Sequence, residues 1–558
     1  MEMTTKSAKM WSKISGNYPI GGVELCCYFV VWLSHSLLAF LLATNASRSV
    51  GHWLDHWLEP SSYSRALRMD NSDIELKLFR QSLPNVLGAF AINSVVFRLI
   101  LRLGMSKNGR SLLLISFWFA LNAYLASVRC LLLVIFATFV LLSVTLLSNC
   151  QLFAWAFAIL AIAKVSVWAP FSSDPSKYYR EFNFYLYSAI KAINLSVFLV
   201  RNRPAIRLNF ELAMEFLEYL LYPPFSTALI VLFEDFRCQF RQVNEQISRL
   251  KMSSLFCRAF RLLFWFFVLD FLLHLCKANA FFNSPFSLLE HLNHYEVASI
   301  AYVVGHLFHL KYFLIFGIPS LFASFDGFHS PGAPICVARV AKYSQMWRYF
   351  DRGLYNFLKE QLYIPLITFG PFSSVHRQIG PNLAIIFLRH FVPMFAVFAF
   401  VLFWHGLSPN YFCWVSLSAT ALIAERIGHS LPKWHTIWPN CSEATFVRLK
   451  AASMLFTVIP GIFGIFFFLG LNGVGAFVFR SLLLDGLSQI LSLRIFSSNS
   501  AGFVLLHFFL LGFCFNNVCL FIDAKLAPAQ QRKNGKGCEK MNDQKKWERK
   551  SERRRINR

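Results

Sequence analysis

The chain has 558 residues, of which 56% are hydrophobic, 17% aromatic and only 15% charged, and its formal net charge is +25. That composition excludes an ordinary soluble globule. A positive excess of this size can signal nucleic acid, but here it sits between and after the apolar blocks. The expected partner is therefore the lipid bilayer, with no nucleic acid.

The first apolar block, 21–44, follows a polar segment, 1–20, that bears Lys6, Lys9 and Lys13. It is too long for a cleaved leader and has no small-residue cleavage site, so it reads as a first transmembrane helix. Further blocks of spanning length are expected near 84–103, 112–127, 130–149, 152–170, 183–200, 254–276, 297–323, 381–406, 411–427, 448–470 and 501–522. Shorter or interrupted stretches lie at 208–236, 344–370 and 476–496. From Lys525 onward there are 13 basic and 4 acidic residues. The chain thus divides into a cytosolic N-terminal segment (1–20), a membrane domain (21–523) and a basic, disordered cytosolic tail (524–558) that faces anionic lipid.

The positive-inside rule puts both ends in the cytosol, together with the loops carrying Lys107 and Arg110, Arg201 to Arg207, and Arg237 to Lys251. Two cytosolic loops therefore flank 208–236, and Tyr222-Pro223-Pro224 breaks that segment in its middle. It is expected to enter and leave on one side as a re-entrant hairpin, which needs protein or a water-filled cavity around it. Parity then argues against 476–496 as a crossing, since Arg480, Asp485 and Arg494 interrupt it. The fold class is all-α: a polytopic membrane protein of about 10 to 12 transmembrane helices, with re-entrant segments around a central chamber. Trp347, Phe350, Leu354, Phe357 and Leu358 follow helical spacing on the cytosolic side and predict one amphipathic helix. Asn45-Ala46-Ser47 falls on the lumenal side as a glycosylation acceptor, whereas Asn440-Cys441-Ser442 falls in the cytosol. The 13 cysteines show no CxxC pair, and most lie in or beside apolar blocks as small hydrophobes.

Ionisable groups at membrane depth are costly, and two stand out: His405 in Phe-Trp-His-Gly, and Asp351 in Met-Trp-Arg-Tyr-Phe-Asp. His405 suits a general base, yet a histidine at a helix end also serves structurally by donating to a carbonyl. Trp404 beside it is equally an interface-belt aromatic. Asp351 could pair with Arg348 or Arg352. Spacing alone does not bring the two residues together.

The run from Met346 to Leu358, with Tyr363-Ile364-Pro365 and Phe403-Trp404-His405-Gly406, resembles the membrane-bound O-acyltransferase family. Two further stretches are similar to its branch that palmitoylates an N-terminal cysteine: Phe468-Leu469-Gly470-Leu471-Asn472-Gly473-Val474-Gly475, and Asp326-Gly327 with Pro334-Ile335-Cys336-Val337. The resemblance implies that His405 and Asp351 are catalytic and that Arg348, Trp347, Trp404 and Asn472 bind substrate. It also implies that Cys336 ligates a haem iron, which suits a loop thiolate beside Arg339. Acyl-CoA, palmitoyl-CoA above all, is the implied co-substrate, with its phosphates at Arg348 and Arg352. The implied acceptor is the N-terminal cysteine of a secreted Hedgehog-type protein in the lumen of the endoplasmic reticulum or Golgi. Departures from the family pattern at Leu366-Ile367, Leu407-Ser408 and after Pro224 bear on the acceptor. A lysolipid or lipid-anchor acyltransferase of the same fold therefore stays open, as does an inactive regulator.

Overall fold

The structure, a computed structural model, describes residues 18–163, 171–203, 209–369, 383–430, 441–494 and 497–526. Its long helices begin where short polar residues can cap them. After α1 (Gly22–Ser49) the chain makes a two-stranded antiparallel hairpin, β1 (Leu58–Pro60) and β2 (Arg68–Asp70), with Leu58 opposite Asp70. These are the only paired strands among the described residues. Asp73 caps α2 (Ile74–Arg102), Ser106 caps α3 (Lys107–Leu125) and Ser127 caps α4 (Val128–Ser148), each taking a backbone N–H of the first turn. Next come α5 (Gln151–Ala163) and α6 (Pro175–Asn202), the latter opened by Asp174 with proline at its first position.

The re-entrant hairpin expected at 208–236 is present as two short helices, α7 (Phe210–Leu221) and α8 (Phe233–Arg241), joined through a turn over Pro223–Phe225 and an extended return. A turn inside a membrane must have its backbone groups satisfied by protein. Buried side chains supply this. Lys191 Nζ donates to the Leu220 carbonyl at 3.0 Å, Asn122 Nδ2 to Leu221 at 2.6 Å, and the Tyr219 hydroxyl to Val231 at 2.6 Å. The Tyr222 hydroxyl donates to buried Asp326 at 2.7 Å, and Asn93 donates to the same carboxylate at 2.9 Å. Polar residues that look misplaced in apolar helices therefore form the cradle of the hairpin.

The chain continues through α9 (Met252–Leu275) and the 32-residue α10 (His294–Phe325), which starts with a capping box between Asn293 and Glu296. The single amphipathic helix expected over 347–358 is instead two: α11 (Tyr343–Tyr349) and α12 (Arg352–Leu358), broken at Phe350-Asp351. The reason is local. Asp351 has extended backbone and its Oδ1 accepts the Leu354 N–H at 2.9 Å, so it caps a new helix instead of continuing the old one. Then follow α13 (Leu383–His405), α14 (Pro409–Ser430), α15 (Glu443–Leu469), α16 (Val474–Leu491) and α17 (Ala501–Leu526). Packing between α14 and α15 is extensive.

Eight of these helices are long and apolar enough to cross a membrane: α1, α2, α4, α6, α10, α15, α16 and α17. Shorter apolar helices are present in α5 and α13, and α3, α9 and α14 have 19, 24 and 22 residues. At 1.5 Å per residue, about 20 residues match the hydrocarbon thickness. The chain is thus an all-α multi-pass membrane protein. The segment 476–496 differs from expectation, because α16 has spanning length and hydropathy despite Arg480 and Asp485. Its buried residues, Val474, Val478 and Leu482, recur every four positions and leave both charges on the exposed side. The Asn45 sequon lies inside α1, where buried Ser47 donates to the Ala43 carbonyl and accepts the Lys277 N–H; this is no open loop for a glycan. Asn440 and the expected tail beyond 526 lie outside the described residues.

Candidate active site

A cavity of about 1050 Å³ opens between α2, α6, α10, α11–α12, α13 and α15. His405 and Asp351 both line it, as do Trp347, Arg348 and Trp404. The structure therefore joins five residues from two segments that sequence spacing could not connect.

His405 ends α13, and Gly406 after it has a φ of 105°, which lets the chain turn away from the helix. The imidazole packs edge-on against Trp414 (5.2 Å between centroids) and Phe468 (5.1 Å). Neither ring nitrogen has a hydrogen-bond partner among the described residues, so a nitrogen is available to a molecule in the cavity. The structural role of donating to a carbonyl is not seen. Trp347 stacks on Trp414 at 5.7 Å, and Trp404 meets Tyr187 edge-on at 6.0 Å. Aromatic faces thus hold the histidine from several sides.

Asp351 comes from the break between α11 and α12. Burial pushes its carboxyl up to about 6, while the backbone N–H groups of Leu354 and Gly353 pull the other way. Gly353 makes this turn possible. A methyl group there would sit 2.6 Å from the Ile230 carbonyl oxygen, on the return arm of the re-entrant hairpin. The hairpin therefore backs directly onto the turn that carries Asp351. Neither Arg348 nor Arg352 forms an ion pair with Asp351 among the described residues; Arg352 lies 5.2 Å over the Tyr349 ring and does not line the cavity.

Arg348 does not stand alone on the wall. Lys342, Lys359 and Arg426 also line the cavity, and neither Arg348 nor Lys342 is held by an ion pair among the described residues. Glu75, Tyr187 and Tyr312 complete part of the opposite wall, with the Tyr312 hydroxyl donating to Glu75 at 2.9 Å and Lys311 at 3.0 Å from the same carboxylate. The sequence reading missed all of these. Their only sequence signal is a charge or hydroxyl at membrane depth, as at Lys311.

Two expected site residues lie elsewhere. Asn472 does not line the cavity: it has a φ of 49° and its side chain donates to the Asn283 carbonyl at 3.0 Å, so it ties a turn to the segment below. Asparagine is among the few residues that tolerate this backbone conformation. Cys336 is exposed at the start of a short turn over Val337–Arg339 and does not line the cavity either. The described residues hold no group of three or more His, Cys, Asp or Glu that could bind a metal ion. Holding a haem iron through a thiolate needs only one soft donor from the protein, however. Cys336 supplies one, next to an apolar cavity of about 300 Å³ walled in part by Val337, Ala338 and Val340.

Comparison with known proteins agrees with this arrangement. Protein-cysteine N-palmitoyltransferase HHAT of Mus musculus is 33% identical over 207 residues, covering 37% of this chain and 38% of its own length. Protein-cysteine N-palmitoyltransferase Rasp of Drosophila melanogaster is 32% identical over 203 residues (35% and 37%). Membrane-bound O-acyltransferase gup1 of Schizosaccharomyces pombe is 27% identical over 214 residues (38% and 33%). The aligned parts thus span little more than a third of each relative. The model of the membrane-bound O-acyltransferase family matches residues 131–431, more than half of the chain and including both Asp351 and His405, and the chain belongs to that family.

Proposed function

We propose that the chain is a membrane acyltransferase that moves a long-chain acyl group, palmitoyl in the first instance, from acyl-CoA to the N-terminal cysteine of a secreted acceptor. The observation that carries this is the single cavity shared by His405, Asp351 and the cations Arg348 and Lys342, neither of which forms an ion pair among the described residues. Acyl-CoA brings phosphates, a thioester and an apolar chain, and the wall offers a counterpart to each. The phosphates meet the cationic rim on the side expected to be cytosolic. The acyl chain lies among the aromatic rings, where burial contributes about 0.8 kcal/mol per methylene, on the order of 10 kcal/mol for a palmitoyl-length chain.

The acceptor amine enters from the opposite, lumenal end and attacks the thioester carbonyl carbon. His405 takes the proton that the nitrogen sheds and returns it to the sulfur as the carbon–sulfur bond breaks, leaving an amide and free CoA thiol. Asp351 orients the ammonium-to-amine transition by accepting from the nucleophile. Its carboxyl, pushed up to about 6, is mostly ionised at neutral pH and can do so. An α-amine has a reference pKa near 8, so it needs less activation than a hydroxyl. We place the enzyme in the endoplasmic reticulum membrane, where acceptors of this kind pass. Cys336 would hold a haem iron through its thiolate on the side expected to be cytosolic; haem there would supply a redox-active iron, and no step of acyl transfer runs through it.

The relatives favour the protein acceptor, since two of them are named protein-cysteine N-palmitoyltransferases. Transfer to a hydroxyl, such as that of a lysolipid, is the second reading, in keeping with the similarity to gup1, named as an O-acyltransferase. The deciding assay offers labelled palmitoyl-CoA to purified protein with a peptide bearing a free N-terminal cysteine, the same peptide N-acetylated, or a lysolipid. Label on the free peptide alone supports the first reading. Label on lysolipid and not on either peptide overturns it.

A further inference from the structure

Away from the active site, a cavity of about 250 Å³ opens between the start of α3, the inbound arm α7 and the outbound arm α8 of the re-entrant hairpin. Its lining is apolar in part, with Leu101, Met214 and Phe236, and charged in part. Most of these charges are already matched. Lys107 pairs with Glu211 at 3.1 Å, while Glu215 takes Arg237 at 2.7 Å and Arg241 at 2.9 Å.

Two groups of opposite sign are left over. Glu218 is only 2% exposed and lines the cavity; Ser111 hydrogen-bonds its carboxyl, but Oε1 has no partner among the described residues. Arg110 lines the same cavity, half-buried, with no ion pair among the described residues. A buried carboxylate oxygen without a donor costs free energy, which a bound ammonium would recover. The unmatched pair therefore calls for a ligand that carries an anion and an N–H-bearing cation a few bonds apart. The start of α3, the end of α8 and the segment after it carry Lys107, Arg110, Arg237, Arg241, Arg249 and Lys251, which the positive-inside rule sets at the cytosolic leaflet. Headgroups are the abundant molecules there, and the volume suits a headgroup rather than a whole lipid.

We propose that this cavity binds the zwitterionic headgroup of an ethanolamine phospholipid, its ammonium on Glu218 and its phosphate on Arg110, with the acyl chains leaving along the apolar part of the lining. A choline headgroup has no N–H to donate and would not satisfy Glu218. The proposal does not depend on the acyl-transfer reading, because none of its residues lines the active cavity.

The test is native mass spectrometry of the intact purified protein after exchange into equal parts of phosphatidylethanolamine, phosphatidylcholine and phosphatidylglycerol. Phosphatidylethanolamine should be retained over the others by roughly tenfold, the worth of one charge-assisted hydrogen bond. Glu218→Gln should abolish that preference while palmitoyl-CoA turnover stays as in the wild type. Equal retention of the ethanolamine and choline lipids, or an undiminished preference in Glu218→Gln, overturns the proposal. So does occupancy by free phosphoethanolamine with no lipid retained. Should Glu218→Gln fail to fold, the lipid ratio on the wild-type protein still decides.

Discussion

Asp351 caps a helix and, in the proposed mechanism, also acts on the nucleophile, and substitutions can separate the two roles. Its Oδ1 caps α12 through the Leu354 N–H, a task asparagine performs as well as aspartate. Its folded-state carboxyl lies above its ordinary value, so the folded protein holds the proton more tightly than the unfolded chain. This group's contribution to stability therefore declines as pH rises from about 4 through about 6. Asp351→Asn removes that cost and keeps the cap, so its melting temperature at neutral pH should equal or exceed the wild-type value while, on the proposed mechanism, acyl transfer collapses. Asp351→Ala loses the cap as well and should cost about 1 kcal/mol. An active, stable Asp351→Asn protein would show the carboxylate to be structural. For His405→Ala, loss of the proposed general base predicts a fall in kcat of roughly 100-fold or more with acyl-CoA binding retained. Full turnover in that variant would end the assignment.

At the scale of elements, the re-entrant hairpin and the α11–α12 break act as one unit. Gly353 is the contact point, since any Cβ meets the Ile230 backbone. Gly353→Ala should cost about 1–3 kcal/mol and displace Asp351, lowering kcat more than it raises KM. Unchanged kcat would mean that the two arms move apart freely. Asn122→Leu offers a control 99 residues from the hairpin carbonyl it serves: it orphans the Leu221 carbonyl and should destabilise the protein by about 1–3 kcal/mol, read as a lower midpoint in thermal unfolding. Sequence anticipated the hairpin, because paired prolines and flanking basic loops mark it. It did not anticipate the break at Asp351, because the apolar periodicity from Trp347 to Leu358 runs on through the cap.

At the scale of the whole molecule, topology is the property most open to test. Cys336 is a free, exposed thiol on the segment expected to be cytosolic. A membrane-impermeant maleimide applied to sealed, haem-depleted microsomes with their cytosolic face outward should label it, in a variant whose other exposed cysteines are serine. Protection until the membrane is permeabilised would invert the orientation of the 324–369 segment.

The sequence by itself determined that this chain is an all-α multi-pass membrane protein, because spanning a bilayer requires about 20 consecutive apolar residues and that requirement is local. It also singled out His405 and Asp351, since charge at membrane depth is conspicuous in any apolar run. Only the tertiary structure decided that both open onto one cavity, that Lys342, Arg426, Tyr187 and Tyr312 share its wall, and that Asn472 and Cys336 do not. Those outcomes depend on how helices distant in the chain pack around the re-entrant hairpin. Packing of that kind is set by close contacts, such as Gly353 on Ile230, that leave no periodic trace in the order of residues.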